Sequence, residues 1–220
     1  MIAKVSGIEL FYTVGGQGRP IILLHGNGED HSIFNRLASE LYSTCTVYQI
    51  DSRDHGQSSK VTSLDYHIMA DDIAAFISQK QIVKPVILGF SDGGIIGLLL
   101  AMQYPELLDK LIVCGANLNP DGIKTFNIIL MKLNFFFSRN SKLRLILTQP
   151  NIAIQSLGRI AIPTLVIAGE RDLVKVKHTR TIAASIREST LKILPGENHS
   201  SYIANSSKIC PMIVQFIQPQ

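Results

Sequence analysis

The stretch LGFSDGGIIG, residues 88–97, places Gly89, Gly93 and Gly94 within three positions of Ser91. Glycine is costly inside regular structure, so such crowding marks a place where the backbone must do something a Cβ would prevent. The preceding KPVILGF (Lys84–Phe90) is a strand-like apolar run, and Ile95–Tyr104 is apolar nearly all round, as in a buried helix. Gly89 and Gly93 therefore flank Ser91 in G-x-S-x-G spacing at a strand-to-helix junction. There a sharp turn strains the serine backbone and lifts its hydroxyl clear of a sheet. Gly94 and Gly97 let the following helix pack closely, and the N–H of Asp92 is left at a helix N-terminus.

Outward from this junction the chain alternates β-type runs with helical patterns, the rhythm of an α/β protein with a mostly parallel sheet. Lys4–Ser6 and Glu9–Val14 read as an opening hairpin about Gly7. Strands are expected at Pro20–Gly26, Cys45–Asp51, Lys84–Phe90, Lys110–Ala116, Pro163–Gly169 and Thr190–Gly196. Helices are expected from Ser32, as the cap, to Tyr42, then over Asp65–Gln79, Ile95–Tyr104 and Val176–Arg187, with a last one toward Phe216. Between Leu118 and Thr148 the β signal stops in a basic, apolar, helix-like insertion. The expected organisation is a core of residues 1–117 and 149–220, interrupted by a helical insertion at 118–148.

A serine hydroxyl needs a base, and the base needs an acid to orient it. His199, in LPGENHSSY, follows one strand, and Asp172, in VIAGERD, follows the strand before it. The order serine, aspartate, histidine is the one expected when these groups hang from the ends of successive strands. Glu170 is the alternative acid and His178 the alternative base, while His31 and His67 lack a supporting context. The loop His25-Gly26-Asn27-Gly28 offers a second backbone donor beside Asp92. The N–H groups of Asn27 and Asp92 are thus the expected oxyanion hole, with His25 bracing the loop.

Composition removes several function classes. Tryptophan is absent and aromatics make up 7% of the 220 residues, which disfavours stacked sugar sites. Cys45, Cys114 and Cys210 are too few and scattered for a disulfide framework or a zinc site, so no metal is expected. Neither a secretion signal nor an apolar run of membrane-spanning length is visible. A cytoplasmic protein without stable membrane insertion is therefore expected. The net charge of +4 is concentrated: between Asn117 and Ile160 six basic residues (Lys124, Lys132, Arg139, Lys142, Arg144, Arg159) face one acid, Asp121. This is either a solvated basic face or a surface attracting anionic substrates or membrane headgroups. The local aromatics form a run rather than spaced stacking platforms, so nucleic acid is not an expected partner. An incompletely buried apolar insertion would make a homodimer face.

Four blocks, LLHGNG, DSRDHGQS, GFSDGG and the pair VIAGERD and LPGENH, give the chain a resemblance to the α/β-hydrolase superfamily along nearly its whole length. In that family the second block commonly reads D-x-R-G-x-G-x-S. Asp54 and His55 depart from it, whereas Asp51, Arg53, Gly56 and Ser58 agree. The block is expected to brace the loops, with His55 as a further candidate for the pocket wall. The resemblance implies an eight-stranded, mostly parallel sheet with helices on both faces, a short helical cap formed by the insertion, and no metal or organic cofactor. Members that open epoxides or displace halide carry aspartate at the nucleophile position, so Ser91 argues for acyl transfer to water. The expected substrate is a small-molecule carboxylic ester of small or medium acyl chain, with Ile129, Met131 and Phe135 of the insertion as substrate contacts. The alternatives are hydrolysis of a C–C bond in a vinylogous diketone acid, or a fold that binds without turnover.

Overall fold

A computed structural model describes residues 1–218. Eight strands form one sheet: β1 (Ile2–Val5), β2 (Ile8–Gly16), β3 (Arg19–Leu24), β4 (Cys45–Ile50), β5 (Val86–Phe90), β6 (Lys110–Cys114), β7 (Thr164–Gly169) and β8 (Ser189–Leu194). Their order is β1-β2-β4-β3-β5-β6-β7-β8. The first hairpin and the β2–β4 pair are antiparallel, and all later pairs are parallel. Ser6 and Gly7, both at positive φ (49° and 78°), close the hairpin with the backbone twist that two-residue turns favour.

The central strands β5, β6 and β7 are buried throughout, which is why they read as unbroken apolar runs. Period-two alternation divides their side chains between two cores. Ile87, Leu111, Val113 and Val166 pack with α2 (Tyr66–Gln79), α3 (Asp92–Gln103) and α6 (Val176–Ala184) on one face. Val86, Leu88, Phe90, Ile112 and Ile167 pack with α1 (Asn35–Leu41) and α7 (Cys210–Ile217) on the other.

Most boundaries shift by a few residues from the sequence reading, and two helix starts differ for a physical reason. The segment expected as one helix from Ser32 opens with a 3-10 turn, His31–Phe34, before α1, and its cap is Asp30, whose side chain accepts from the Ser32 N–H. An aspartate one residue before the turn out-competes the serine because its carboxylate reaches that free donor. Helix α3 starts at Asp92, directly after Ser91, rather than at Ile95. The stretch 118–148 folds as a short 3-10 turn (Pro120–Gly122), then α4 (Thr125–Ser138) and α5 (Ser141–Thr148). Beyond it β8 forms one edge of the sheet, with partly buried and exposed residues, and among the described residues it pairs only with β7.

Candidate active site

Ser91 sits between β5 and α3 with φ 52° and ψ −113°, a conformation that ordinary side chains rarely adopt. Its neighbours hold it there. A Cβ on Gly89 would strike the Gly93 carbonyl, and one on Gly93 would strike the Leu24 carbonyl, so both positions require glycine. The Ser91 N–H donates to Cys114 O at 2.7 Å, and the Gly93 N–H donates to His25 O at 3.1 Å. The turn is thus fastened to the ends of both neighbouring strands.

From the loop after β8, His199 presents Nε2 to Ser91 Oγ at 3.1 Å and Nδ1 to Asp172 Oδ1 at 2.6 Å. Asp172, fully buried after β7, also accepts from the Val174 N–H at 2.9 Å. With a carboxylate at Nδ1 the ring proton resides there, leaving Nε2 free to accept from the serine hydroxyl. The imidazole packs on Phe90 with ring centroids 4.9 Å apart. On its other side Gly115, at φ 62°, makes room: a Cβ there would lie 2.9 Å from His199 Cε1. This arrangement can move a proton off Ser91 while the buried carboxylate stabilises the resulting imidazolium.

Ser91 and His199 open into a cavity of about 340 Å³. Asn27 and Asp92 line it, and among the described residues neither backbone N–H has a protein acceptor. Their side chains meet as well: Asn27 Nδ2 donates to Asp92 Oδ2 at 2.8 Å. Burial pushes the Asp92 carboxyl up to about 6, against the lowering effect of that hydrogen bond. Below them His25 joins the loop to the strand-β4 end, with Nδ1 on Gly26 O at 2.7 Å and Nε2 accepting from the Ser52 N–H at 3.0 Å. Burial drives its pKa down to about 4, which keeps the ring neutral and able to accept.

Of the three expected substrate contacts, Met131 lines the cavity, joined by Leu143 and Ile146 of α5 and by Ile123 and Leu173. Ile129 is not among them: it lies on the outer side of α4 and is 58% exposed. Phe135 borders a different groove, with Arg139 and Arg144. The sequence reading also passed over Glu29, whose carboxyl reaches the cavity wall and accepts from the Gly26 N–H at 2.9 Å. Burial raises its pKa. Its signal in the sequence is its place two residues after Asn27, on the loop expected to supply an oxyanion donor.

The other candidates lie elsewhere. Glu170 accepts from the Gly196 N–H, and His178 accepts from the Leu118 N–H. His31 pairs with Asp51 at 2.7 Å, and His67 contacts Gln103. His55 is buried beside His25, with ring centroids 5.1 Å apart, and is not part of the cavity wall. The DSRDHGQS block is a brace: Asp51 accepts from the His31 and Gln57 N–H groups, and Arg53 grips Asp72 through two bonds of 2.6 Å. Asp54, at φ 63°, reaches Lys142 of α5 at 2.8 Å. Burial works against the charge on Asp54, yet the Lys142 ammonium prevails and holds the carboxyl below its usual range.

A family profile described as alpha/beta hydrolase fold matches residues 19–143, more than half of the chain. An uncharacterised protein of Mycobacterium tuberculosis is 33% identical over 161 residues, which is 71% of this chain; the chain spans only 45% of that relative's length. Among solved structures, the enol-lactonase of Burkholderia xenovorans superposes with a TM-score of 0.83 at 18% identity, covering 99% of both chains. A meta-cleavage product hydrolase of Pseudomonas fluorescens superposes at 0.82 with 18% identity, covering 98% of this chain and 96% of that one. At such identities the likeness concerns the fold. The profile match and the eight-stranded sheet lead to one conclusion: the chain belongs to the α/β-hydrolase superfamily.

Proposed function

We propose that the protein is a serine hydrolase that cleaves a carboxylic ester of a small or medium acyl chain through an acyl-enzyme. The observation that carries this reading is the hydrogen-bonded chain from Asp172 through His199 to Ser91, ending in a cavity with apolar walls. Ser91 Oγ attacks the ester carbonyl as its proton passes to His199 Nε2. The carbonyl oxygen becomes an oxyanion facing the Asn27 and Asp92 N–H groups, each worth about 3 kcal/mol of barrier in typical cases. The imidazolium then protonates the alkoxide leaving group, and the C–O bond breaks. Water, losing its proton to His199, attacks the acyl-enzyme, and collapse of the second oxyanion returns the proton to Ser91 and releases the acid.

Hydrolysis of a C–C bond in an anionic dienoate would use the same serine and histidine. The lining of the cavity weighs against it: among the described residues no lysine or arginine contributes, and Glu29 places an acid beside the oxyanion donors. A neutral ester or lactone suits this wall better than an anion. Hydrolysis of p-nitrophenyl acetate, butyrate and octanoate, run beside Ser91→Ala, tests the reading. Turnover on the shorter esters, lost by roughly 10⁴-fold or more in the variant, is expected. Turnover retained in Ser91→Ala would overturn the assignment.

A further inference from the structure

We propose that the outward face of α4 docks the protein on the surface of an anionic lipid bilayer. Six residues of this helix, Phe126, Ile129, Leu130, Leu133, Phe136 and Phe137, recur every three or four positions and so share one face. Their exposure runs from 48% for Leu130 to 77% for Phe137. The opposite side, including Ile128 and Met131, is the one turned toward the protein, and no residue of α4 is fully buried. A helix that is apolar on both sides ordinarily has both covered. Here one of them, a continuous apolar strip, meets solvent.

The charge around the strip selects its occupant. Lys132 is exposed beside it, and the Arg139 guanidinium lies 5.7 Å from the Phe136 ring centroid. Arg144 of α5 is also exposed, sharing a groove with Arg139, and the one acid between Asn117 and Gly169 is Asp121. Asp121 precedes the N-terminus of α4, at the end opposite Arg139, and Asp54 is paired with Lys142. A second copy seated symmetrically about the middle of this face would bring Lys132 toward its own counterpart, and the strip itself carries no carboxylate. A bilayer surface instead accepts phenylalanine and leucine at the acyl boundary and lysine and arginine at the phosphates. No helix among the described residues is long and apolar enough to cross a membrane, so the contact is a lateral one. Because Met131 of the same helix lines the cavity, docking sets Ser91 close beneath the lipid surface. The docking itself stands independently of the ester-hydrolase reading.

The test is co-sedimentation of the full chain with vesicles of phosphatidylcholine alone and of phosphatidylcholine mixed with phosphatidylglycerol. Binding is expected to the mixed vesicles, to weaken at least 10-fold at high salt, and to disappear in the double variant Leu133→Asp, Phe136→Asp. Replacing Lys132 and Arg139 by glutamine should weaken binding about 25-fold, taking roughly 5-fold per basic residue. The matched double variant Arg187→Gln, Lys192→Gln, away from the cap, should bind as the wild type does. The apolar positions are solvent-facing, so an unchanged circular-dichroism melt establishes that the variants fold. Absence of binding to anionic vesicles overturns the proposal, as does binding that survives Leu133→Asp, Phe136→Asp. A dimer in light scattering that becomes monomeric in that variant, without vesicle binding, would assign the face to a second copy instead.

Discussion

The side chain of Asn27 donates to the carboxylate of Asp92 at 2.8 Å, joining the two segments whose backbone N–H groups face the cavity. One segment follows β3 and the other opens α3, and they are 65 residues apart. Two donors aimed at one oxygen are effective only if their spacing is fixed before the charge develops. Asp92→Ala should therefore lower kcat by about 10- to 100-fold with little change in KM. Steady-state kinetics on a p-nitrophenyl ester measures it. A rise in KM alone would mean that the pair only shapes the pocket.

The same carboxyl sets a pH dependence. Its folded pKa of about 6 exceeds the ordinary 3.8 because of burial. Its contribution to stability is thus fully present below the unfolded value and is lost as the pH rises through about 6. Asp92→Asn keeps an acceptor for Asn27 but cannot ionise. Relative to wild type it should be near neutral at pH about 4 and more stable by about 2–3 kcal/mol above pH about 7. Urea unfolding at the two pH values checks the sign.

Gly115 holds the space that His199 occupies. Alanine there would combine a positive φ with a Cβ 2.9 Å from the imidazole. Gly115→Ala should cost about 1–2 kcal/mol of stability and at least 10-fold in kcat, as the ring is pushed off the Ser91–Asp172 line. The thermal melt and the rate should fall together. A normal rate in a destabilised variant would show that the ring finds another way to the serine.

Asp54 and Lys142 tie the brace loop to α5, and the Asn27 amide adds a bond of 3.3 Å to the Lys142 carbonyl. Lys142→Met should loosen α5 by about 1 kcal/mol, read as faster amide hydrogen exchange confined to Ser141–Thr148. Because Lys142 lowers the Asp54 pKa, the tie's contribution is fully present above the ordinary carboxylate value and is lost as the pH falls below it, through the lowered folded value. Wild-type protection of α5, corrected for the intrinsic rate, should decline in acid, and that of the variant should not.

Glu29 brings a second carboxyl, besides that of Asp92, to the cavity wall. Glu29→Gln should raise kcat/KM for an anionic ester, p-nitrophenyl hemisuccinate, about 10-fold relative to the neutral butyrate. Equal changes on both esters would show that its charge does not act on the substrate.

The sheet and the three side chains that meet at Ser91 were legible because each is marked by a local pattern that survives in one dimension. Ser91 is announced by glycines that the turn geometry demands, and Asp172 and His199 each follow an apolar run whose end can be read. The helical insertion is different. Helix α4 is apolar nearly all round, so periodicity cannot tell which side faces the cavity: Met131 does, while Ile129 faces solvent. Gly115 and Glu29 were missed for a related reason. Their importance lies in what stands opposite them, His199 and the Ser91 turn, and those contacts join distant parts of the chain.

The histidine and the serine it meets have unequal support. Ser91 leaves the middle of the sheet, whereas His199 follows β8, a strand with a neighbour on one side only. Peripheral strands open in fluctuations that leave the centre closed. Detachment of β8 would withdraw the imidazole while both cores stayed largely intact. Warming should thus silence the molecule some degrees before it melts. Over that interval a spectroscopic count of folded chains would overstate the number able to react.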